Sequence, residues 1–219
     1  MTSKQTSFIY RNGLSLVLLA LFAVSLAGQV WTGLRAFNDE RADQGAAPVT
    51  LARYLHSGHF LSATFENWES EFLQMGMYVL LTVGLRQRGS AESRKLEPAA
   101  EVQDIAPGTP PWPVRRGGVW KTLYANSLSL AYLALFLLTF AGHSHGSWRH
   151  ANQQRALEGM PGIDWAEHVG SAQFWFESMQ NWQSEFLAVL SIVLLSIYLR
   201  QKDSPESKPV EAPHSQTGT

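Results

Sequence analysis

Four apolar runs constrain this chain more than any other feature of its sequence. Residues 13–34 and 122–142 carry no charged side chain. Each run is long enough for a membrane-spanning helix, which needs about 20 mostly apolar residues. Residues 72–85 and 186–199 are shorter and reach spanning length only if the residues before them join the helix. The pattern predicts an all-α integral membrane protein.

Composition argues against several other classes of protein. Charged residues make up 16% of the chain, whereas soluble domains carry about 25%. The net charge of −1 offers no basic surface for nucleic acid. The chain has no cysteine, which excludes disulfides and thiol chemistry. A cleaved signal peptide is an alternative interpretation of residues 13–34, but the similar run at 122–142 lies in mid-chain and cannot be one.

The chain repeats itself at a constant offset of 114 residues. Residues 10–93 align without gaps with residues 124–207, and 34 of the 84 pairs are identical. The phrase "NWESEFL" at 67–73 returns as "NWQSEFL" at 181–187. Chance does not produce such a match over this length, so the sequence predicts a tandem duplication.

The duplication predicts how the chain is divided. A segment with five prolines and no helical periodicity separates the halves and reads as a flexible linker. The predicted parts are repeat 1 over 1–88 with spans near 13–34 and 67–86, the linker over 89–120, repeat 2 over 121–202 with spans near 122–143 and 181–200, and a disordered tail over 203–219.

Local signals predict where the helices begin and end. Gly45 and Gly159 stand where a helix is expected to end, each followed shortly by proline. Ser57 and Ser171 are predicted to cap the second long helix of each half, and Thr50 stands at the predicted start of a short helix, as does Asp164 in the second half. Helices of roughly 30 residues reach about 45 Å, so they should protrude beyond a hydrocarbon core of about 30 Å.

The distribution of basic residues predicts the orientation. Twelve of the 17 lysines and arginines fall in the N-terminus, linker and tail, and five fall in the loops 35–66 and 149–180. The positive-inside rule places the termini and linker in the cytoplasm. Both halves then insert with the same polarity, as parallel repeats, and their helices protrude on the outer side.

The repeated phrase places polar side chains on one face of a predicted span. Counting helical rise from the cytoplasmic ends puts Glu71 level with Gln29, and Glu185 level with His143. An ionisable residue inside a membrane indicates function by default. The candidate intramembrane polar site therefore comprises Asn67, Ser70, Glu71, Asn181, Ser184, Glu185, Gln29 and His143.

Three interpretations of this site stay open. The glutamates could lie in the headgroup zone, where the neighbouring Asn and Ser would only join helices; they could frame a path for protons or cations; or the site could bind another ligand. Glu69 points about 200° away from Glu71 around a helix, which argues against a carboxylate pair. His143 and His145 are two residues apart and diverge, which argues against a metal site. We therefore expect no metal, no cofactor and no enzymatic activity.

The runs "FIYRNGLSLVLLALF" and "SGHFLSATFENWESEFLQMGMYVLLTVGLRQRGSAES" resemble a bacterial family of uncharacterised multi-pass membrane proteins, catalogued as a domain of unknown function. The resemblance implies a bacterial inner-membrane location and carries no known activity. We expect four spans in two parallel repeats and a structural or accessory role. The expected partners are the lipid bilayer and either further copies of the chain or another membrane protein. A small transporter or channel using Glu71 and Glu185 is the alternative.

Overall fold

The computed structural model describes residues 7–97 and 105–218, and within these ranges the chain forms helices and no strands. Residues 1–6 of predicted repeat 1, residues 98–104 of the predicted linker and Thr219 of the predicted tail lie outside the described residues. The helices in chain order are α1 (Phe8–Asp43), α2 (Leu51–Leu55), α3 (Gly58–Gly84), α4 (Trp112–Arg116), α5 (Gly118–Ala125), α6 (Ser127–Leu157), α7 (Trp165–Val169) and α8 (Ala172–Tyr198).

Glycines end both of the longest helices, as the sequence predicts. Gly45 has φ +69° and Gly159 has φ +71°, a left-handed conformation that costs glycine little. After α1, the N–H of Gly45 bonds the carbonyl of Ala42 at 2.9 Å and the N–H of Ala46 bonds that of Arg41 at 2.8 Å. This pair of bonds is the Schellman arrangement, and the same pattern follows α6.

Serine caps begin the second long helices, also as predicted. The Ser57 hydroxyl accepts the N–H of Phe60 at 3.1 Å, and the Ser171 hydroxyl accepts the N–H of Phe174 at 3.3 Å. Each bond satisfies one of the free N–H groups in a first helical turn. Thr50 lies at the N-cap of α2 but makes no capping bond with its side chain.

The chain folds as two compact units, and the first comprises residues 7–63 with 145–165. Within it, the Asn38 amide donates to the carbonyl of Val49 at 3.1 Å and accepts the N–H of Val49 at 2.7 Å. Asn152 makes the same two bonds with Ile163, at 2.9 and 2.8 Å. Each asparagine therefore fixes the loop that follows its helix.

An aromatic cluster fills the centre of this first unit. Phe37 and Tyr54 are buried, and the ring of His59 lies 5.1 Å from that of Phe37 and 5.2 Å from that of His150. The Nδ1 atom of His59 is 3.5 Å from the Tyr54 hydroxyl. Burial lowers the pKa of His59, and the negative charge of Glu40 opposes that shift.

The second unit comprises the described residues 64–97, 105–144 and 166–218. The segment after α8, which the sequence predicts as a disordered tail, forms turns here. Lys208 is buried, and its ammonium donates to the carbonyls of Gly89, of Gln216 at 2.9 Å and of His214 at 3.1 Å. The N–H of Gly218 bonds the carbonyl of Ser90 at 2.9 Å. These bonds attach the tail to the segment that follows α3.

Three helices among the described residues are long and apolar enough to cross a membrane: α1, α6 and α8. The helix α3 is not among them, although the sequence predicts a span at 67–86. Its N-terminal half carries Glu66, Glu69 and Glu71, and these lower the apolar character of any spanning window. The composition of the described helices therefore supports three apolar spans.

Candidate functional site

Seven of the eight side chains predicted for the polar site lie in the second unit, and Gln29 lies in the first. Glu71, Asn67 and Ser184 are exposed, whereas Glu185 and Asn181 are half-buried. The Ser70 and Ser184 hydroxyls each donate to a carbonyl three residues earlier in their own helix, at 2.8 Å. The carboxyls of Glu71 and Glu185 are close enough to repel each other. The structure thus brings the two predicted glutamates near each other, but near the surface.

The buried polar centre of this unit is built instead around Glu69 and His143. Both side chains have 0% of their surface exposed. The Oε2 atom of Glu69 lies 2.8 Å from Nδ1 of His143. Since a carboxylate only accepts, Nδ1 of the imidazole is the donor in this hydrogen bond. Glu69 belongs to α3 and His143 to α6, so the bond joins two long helices.

Two aromatic side chains of α8 complete the surroundings of this pair. The indole Nε1 of Trp182 donates to Oε1 of Glu69 at 3.0 Å. The ring of Phe174 stacks on the imidazole of His143, with centroids 4.9 Å apart and an interplanar angle of 25°. Both oxygens of the Glu69 carboxylate are therefore hydrogen-bonded, which a buried carboxylate requires.

Gly142 allows α6 to approach α3 at this point. A Cβ atom added at Gly142 would lie 2.7 Å from ring atoms of Phe65, closer than real contacts permit. The glycine therefore sits directly against an aromatic ring one residue from His143. Phe65 packs edge-on against Trp68, with ring centroids 5.6 Å apart. Small residues at helix contacts allow this kind of close approach.

Two further carboxyls lie beside the imidazole. Ligand atoms of Glu66, His143 and Glu177 all lie within 4.8 Å of one another. The Nδ2 atom of Asn181 donates to Oε1 of Glu66, and the Gln173 amide donates to Oε1 of Glu177 at 2.7 Å. Three helices therefore converge with two carboxylates and one imidazole, which is a set of groups able to hold a metal ion.

A second histidine, His168 of α7, is also buried within this unit. Its ring lies 5.7 Å from that of Phe174. Burial lowers the pKa of His168, the negative charge of Glu177 opposes this, and His143 adds to the lowering. The neutral form of His168 is therefore favoured, and its imidazole lies within electrostatic reach of Glu177 and His143.

Four residues of this polar centre were not in the predicted site: Glu66, Glu69, Glu177 and Trp182. The sequence argument considered only Glu69 among them and set it aside because it points away from Glu71. Reasoning from the repeat favoured residues present in both halves, such as Glu71 and Glu185. The three acids and the histidine of the cluster are instead residues that the other half lacks. At an offset of 114, the counterparts of Glu66, Glu69, His143 and Glu177 are Gln180, Gln183, Gln29 and Ala63. These four differences between the two halves were the feature of the sequence that could have indicated the site.

Comparison with protein families identifies the family of the chain. A family model described as a domain of unknown function, DUF6766, matches residues 5–219. No curated protein and no solved structure matches the chain. The match covers nearly the whole sequence.

Proposed function

Since the chain belongs to the DUF6766 family, a domain of unknown function, we propose that it is a non-enzymatic multi-pass protein of the bacterial inner membrane with a structural or accessory role. In this proposal the chain has four spans in two parallel two-span repeats, with both termini in the cytoplasm. The long apolar helices α1, α6 and α8 support the membrane assignment.

One observation carries this proposal: apolar side chains lie outside and polar ones inside. Leu14 of α1 is 77% exposed and Leu138 of α6 is 69% exposed. In the second unit, Glu69, Ser70 and His143 are buried. Water-soluble domains rarely expose large contiguous apolar surfaces, whereas lipid-facing helices must be apolar and bury their polar groups against each other.

The fourth span rests on the length of α3 and on the repeat. A helix of 27 residues reaches about 40 Å at 1.5 Å per residue, enough to cross a core of about 30 Å. Its counterpart at an offset of 114 is α8, which does qualify as an apolar span. The matching loop bonds of Asn38 and Asn152 further support two similar halves.

The orientation rests on the basic residues. Twelve of the 17 lysines and arginines lie in the N-terminus, the 86–121 region and the segment after α8. Cytoplasmic segments of membrane proteins carry such an excess. The outward-facing loops are then those that contain α2 and α7.

A small proton or cation transporter is the second candidate. The repulsion between the carboxyls of Glu71 and Glu185 favours it, because paired acids at equivalent positions of two repeats could frame a path for cations. This candidate predicts that both acids are needed for activity.

Reconstitution into proteoliposomes separates the two candidates. An accessory role predicts no proton or monovalent cation flux above that of empty vesicles, together with a stoichiometric membrane-protein partner after mild detergent extraction. Flux that is lost in Glu71→Gln and in Glu185→Gln, but kept in the exposed control Glu158→Gln, would overturn the accessory role in favour of transport.

A further inference from the structure

We propose that Glu66, His143 and Glu177 form a binding site for one divalent first-row transition-metal ion. Their ligand atoms already lie within 4.8 Å of one another. Metal–oxygen and metal–nitrogen bonds of about 2.0–2.2 Å would require only small movements of the two glutamate side chains, which are half-buried. This inference depends neither on the accessory role nor on the number of spans.

The state of His143 is the second observation that points to a ligand. The side chain is fully buried, and its Nε2 atom has no hydrogen-bond partner among the residues that the structure describes. Because Nδ1 donates to Glu69, Nε2 is the ring nitrogen that is left to coordinate an ion. A buried polar atom left without a partner calls for an explanation. A metal ion bound at Nε2 supplies one.

Glu69 has the position of the outer partner that metal-binding histidines usually have. Such histidines donate their other ring N–H to a carboxylate or carbonyl, which fixes the tautomer and the direction of the ring. Here Trp182 in turn holds the Glu69 carboxylate. The hydrogen bonds that Trp182 and His143 donate to Glu69 therefore fix the orientation of the imidazole ring before an ion binds.

The two carboxylates are oriented in the same manner. Asn181 donates to one oxygen of Glu66, and Gln173 donates to one oxygen of Glu177. Among the described residues no hydrogen bond occupies the second oxygen of either carboxylate, so that oxygen is available to a ligand. Asn181 was expected in the polar site on sequence grounds, and here it acts as a positioning residue.

The donor set selects the class of ion. Calcium and magnesium prefer sites made of oxygen ligands alone, whereas an imidazole beside carboxylates suits zinc, iron, cobalt or manganese. Three protein ligands leave at least one coordination position open. The three acids around one imidazole, Glu66, Glu69 and Glu177, also form a concentration of negative charge that a divalent cation would reduce.

The repeat predicts one site per chain. At an offset of 114, the three ligands correspond to Gln180, Gln29 and Ala63. An alanine supplies no ligand, and amides are poor ligands for these ions. Binding of two equivalent ions would therefore contradict the assignment.

The test is a titration of the full chain, purified in detergent and stripped with a chelator. Calorimetry with Zn²⁺ and visible absorption with Co²⁺ should both show one saturable site per chain. Glu66→Gln and Glu177→Gln should each weaken binding at least tenfold, and Glu69→Gln should weaken it by about 10–100-fold through loss of the outer partner. Glu158→Gln and Glu211→Gln replace exposed acids outside the cluster; they are the controls and should bind as the wild type does.

A measurement on the unaltered protein removes the risk that a variant simply misfolds. Pulsed electron paramagnetic resonance of the Mn²⁺-loaded chain should detect coupling to a single histidine nitrogen. The proposal is overturned if no saturable site appears, if no nitrogen coupling is seen, or if Glu66→Gln and Glu177→Gln, shown to be folded by circular dichroism, bind with wild-type affinity.

Discussion

Replacing Glu69 with alanine should destabilise the chain more than any other single change to an acidic residue of α3. The side chain is fully buried and makes two hydrogen bonds, with His143 at 2.8 Å and with Trp182 at 3.0 Å. Hydrogen bonds to a charged group contribute about 1.5–3 kcal/mol each. Removing the carboxylate also leaves the buried donors of His143 and Trp182 without their partner, at a cost of about 1–3 kcal/mol for each group. We therefore expect Glu69→Ala to lower the free energy of unfolding by about 3 kcal/mol or more.

Equilibrium unfolding in mixed micelles, followed by tryptophan fluorescence, measures this loss directly, because Trp182 lies against the altered side chain. Glu71→Ala is the control, since Glu71 is two residues away and exposed. A double-mutant cycle with His143→Ala should show a coupling energy well above the average of about 0.6 kcal/mol for interhelical hydrogen bonds in membranes. A loss for Glu69→Ala equal to that for Glu71→Ala would refute the reasoning.

Three further predictions follow from individual contacts. Gly142→Ala should cost about 1–3 kcal/mol by overpacking, since its Cβ would meet a ring at 2.7 Å. Gly28→Ala has open space inside a helix, so it should not lower the melting temperature. Because burial lowers the pKa of His59, the unfolded chain binds a proton at this histidine more readily than the folded chain does. The melting temperature should therefore fall as pH drops below about 6.5. A His59→Phe variant should show a flatter dependence of melting temperature on pH. Lys208→Met should speed amide hydrogen exchange over 203–218, because it removes the bonds to backbone carbonyls. The control Lys202→Met replaces an exposed side chain and should not change the exchange rates. Equal exchange rates in the two variants would contradict the role of Lys208 in holding this segment.

The ends of the helices were predictable from the sequence because their causes are local. Gly45 and Gly159 adopt positive φ and end α1 and α6, and Ser57 and Ser171 cap α3 and α8. A glycine after an apolar helix, or a serine before one, needs no knowledge of the rest of the chain. The positions of these residues alone were sufficient.

The site was not predictable in the same way because it depends on how the helices are rotated about their axes. Counting helical rise gives the height of Glu71 in a span but not the direction in which it points. Glu69 is two residues away and about 200° around the helix, and it is this side that meets His143. Only the packing of α3 against α6 decides between the two faces.

The repeat was a sound guide to the ends of the helices and a poor guide to chemistry. It directed attention to Glu71 and Glu185, which are identical in the two halves. Under the predicted duplication, both halves keep a shared framework while one acquires a site, and the proposed ligands stand where the two halves differ. His143 against Gln29 and Glu177 against Ala63 are such differences.

The most direct test of the proposed architecture is labelling of single cysteines in intact cells with a membrane-impermeant maleimide. The chain has no cysteine of its own, so each introduced thiol reports one site. The substitutions are Ser7→Cys, Ala47→Cys, Met160→Cys and Ser215→Cys.

Four spans predict labelling at 47 and 160 and protection at 7 and 215. If α3 does not cross the membrane, the second half inverts, so that 160 is protected and 215 is labelled. That second pattern would contradict the proposed pair of parallel repeats.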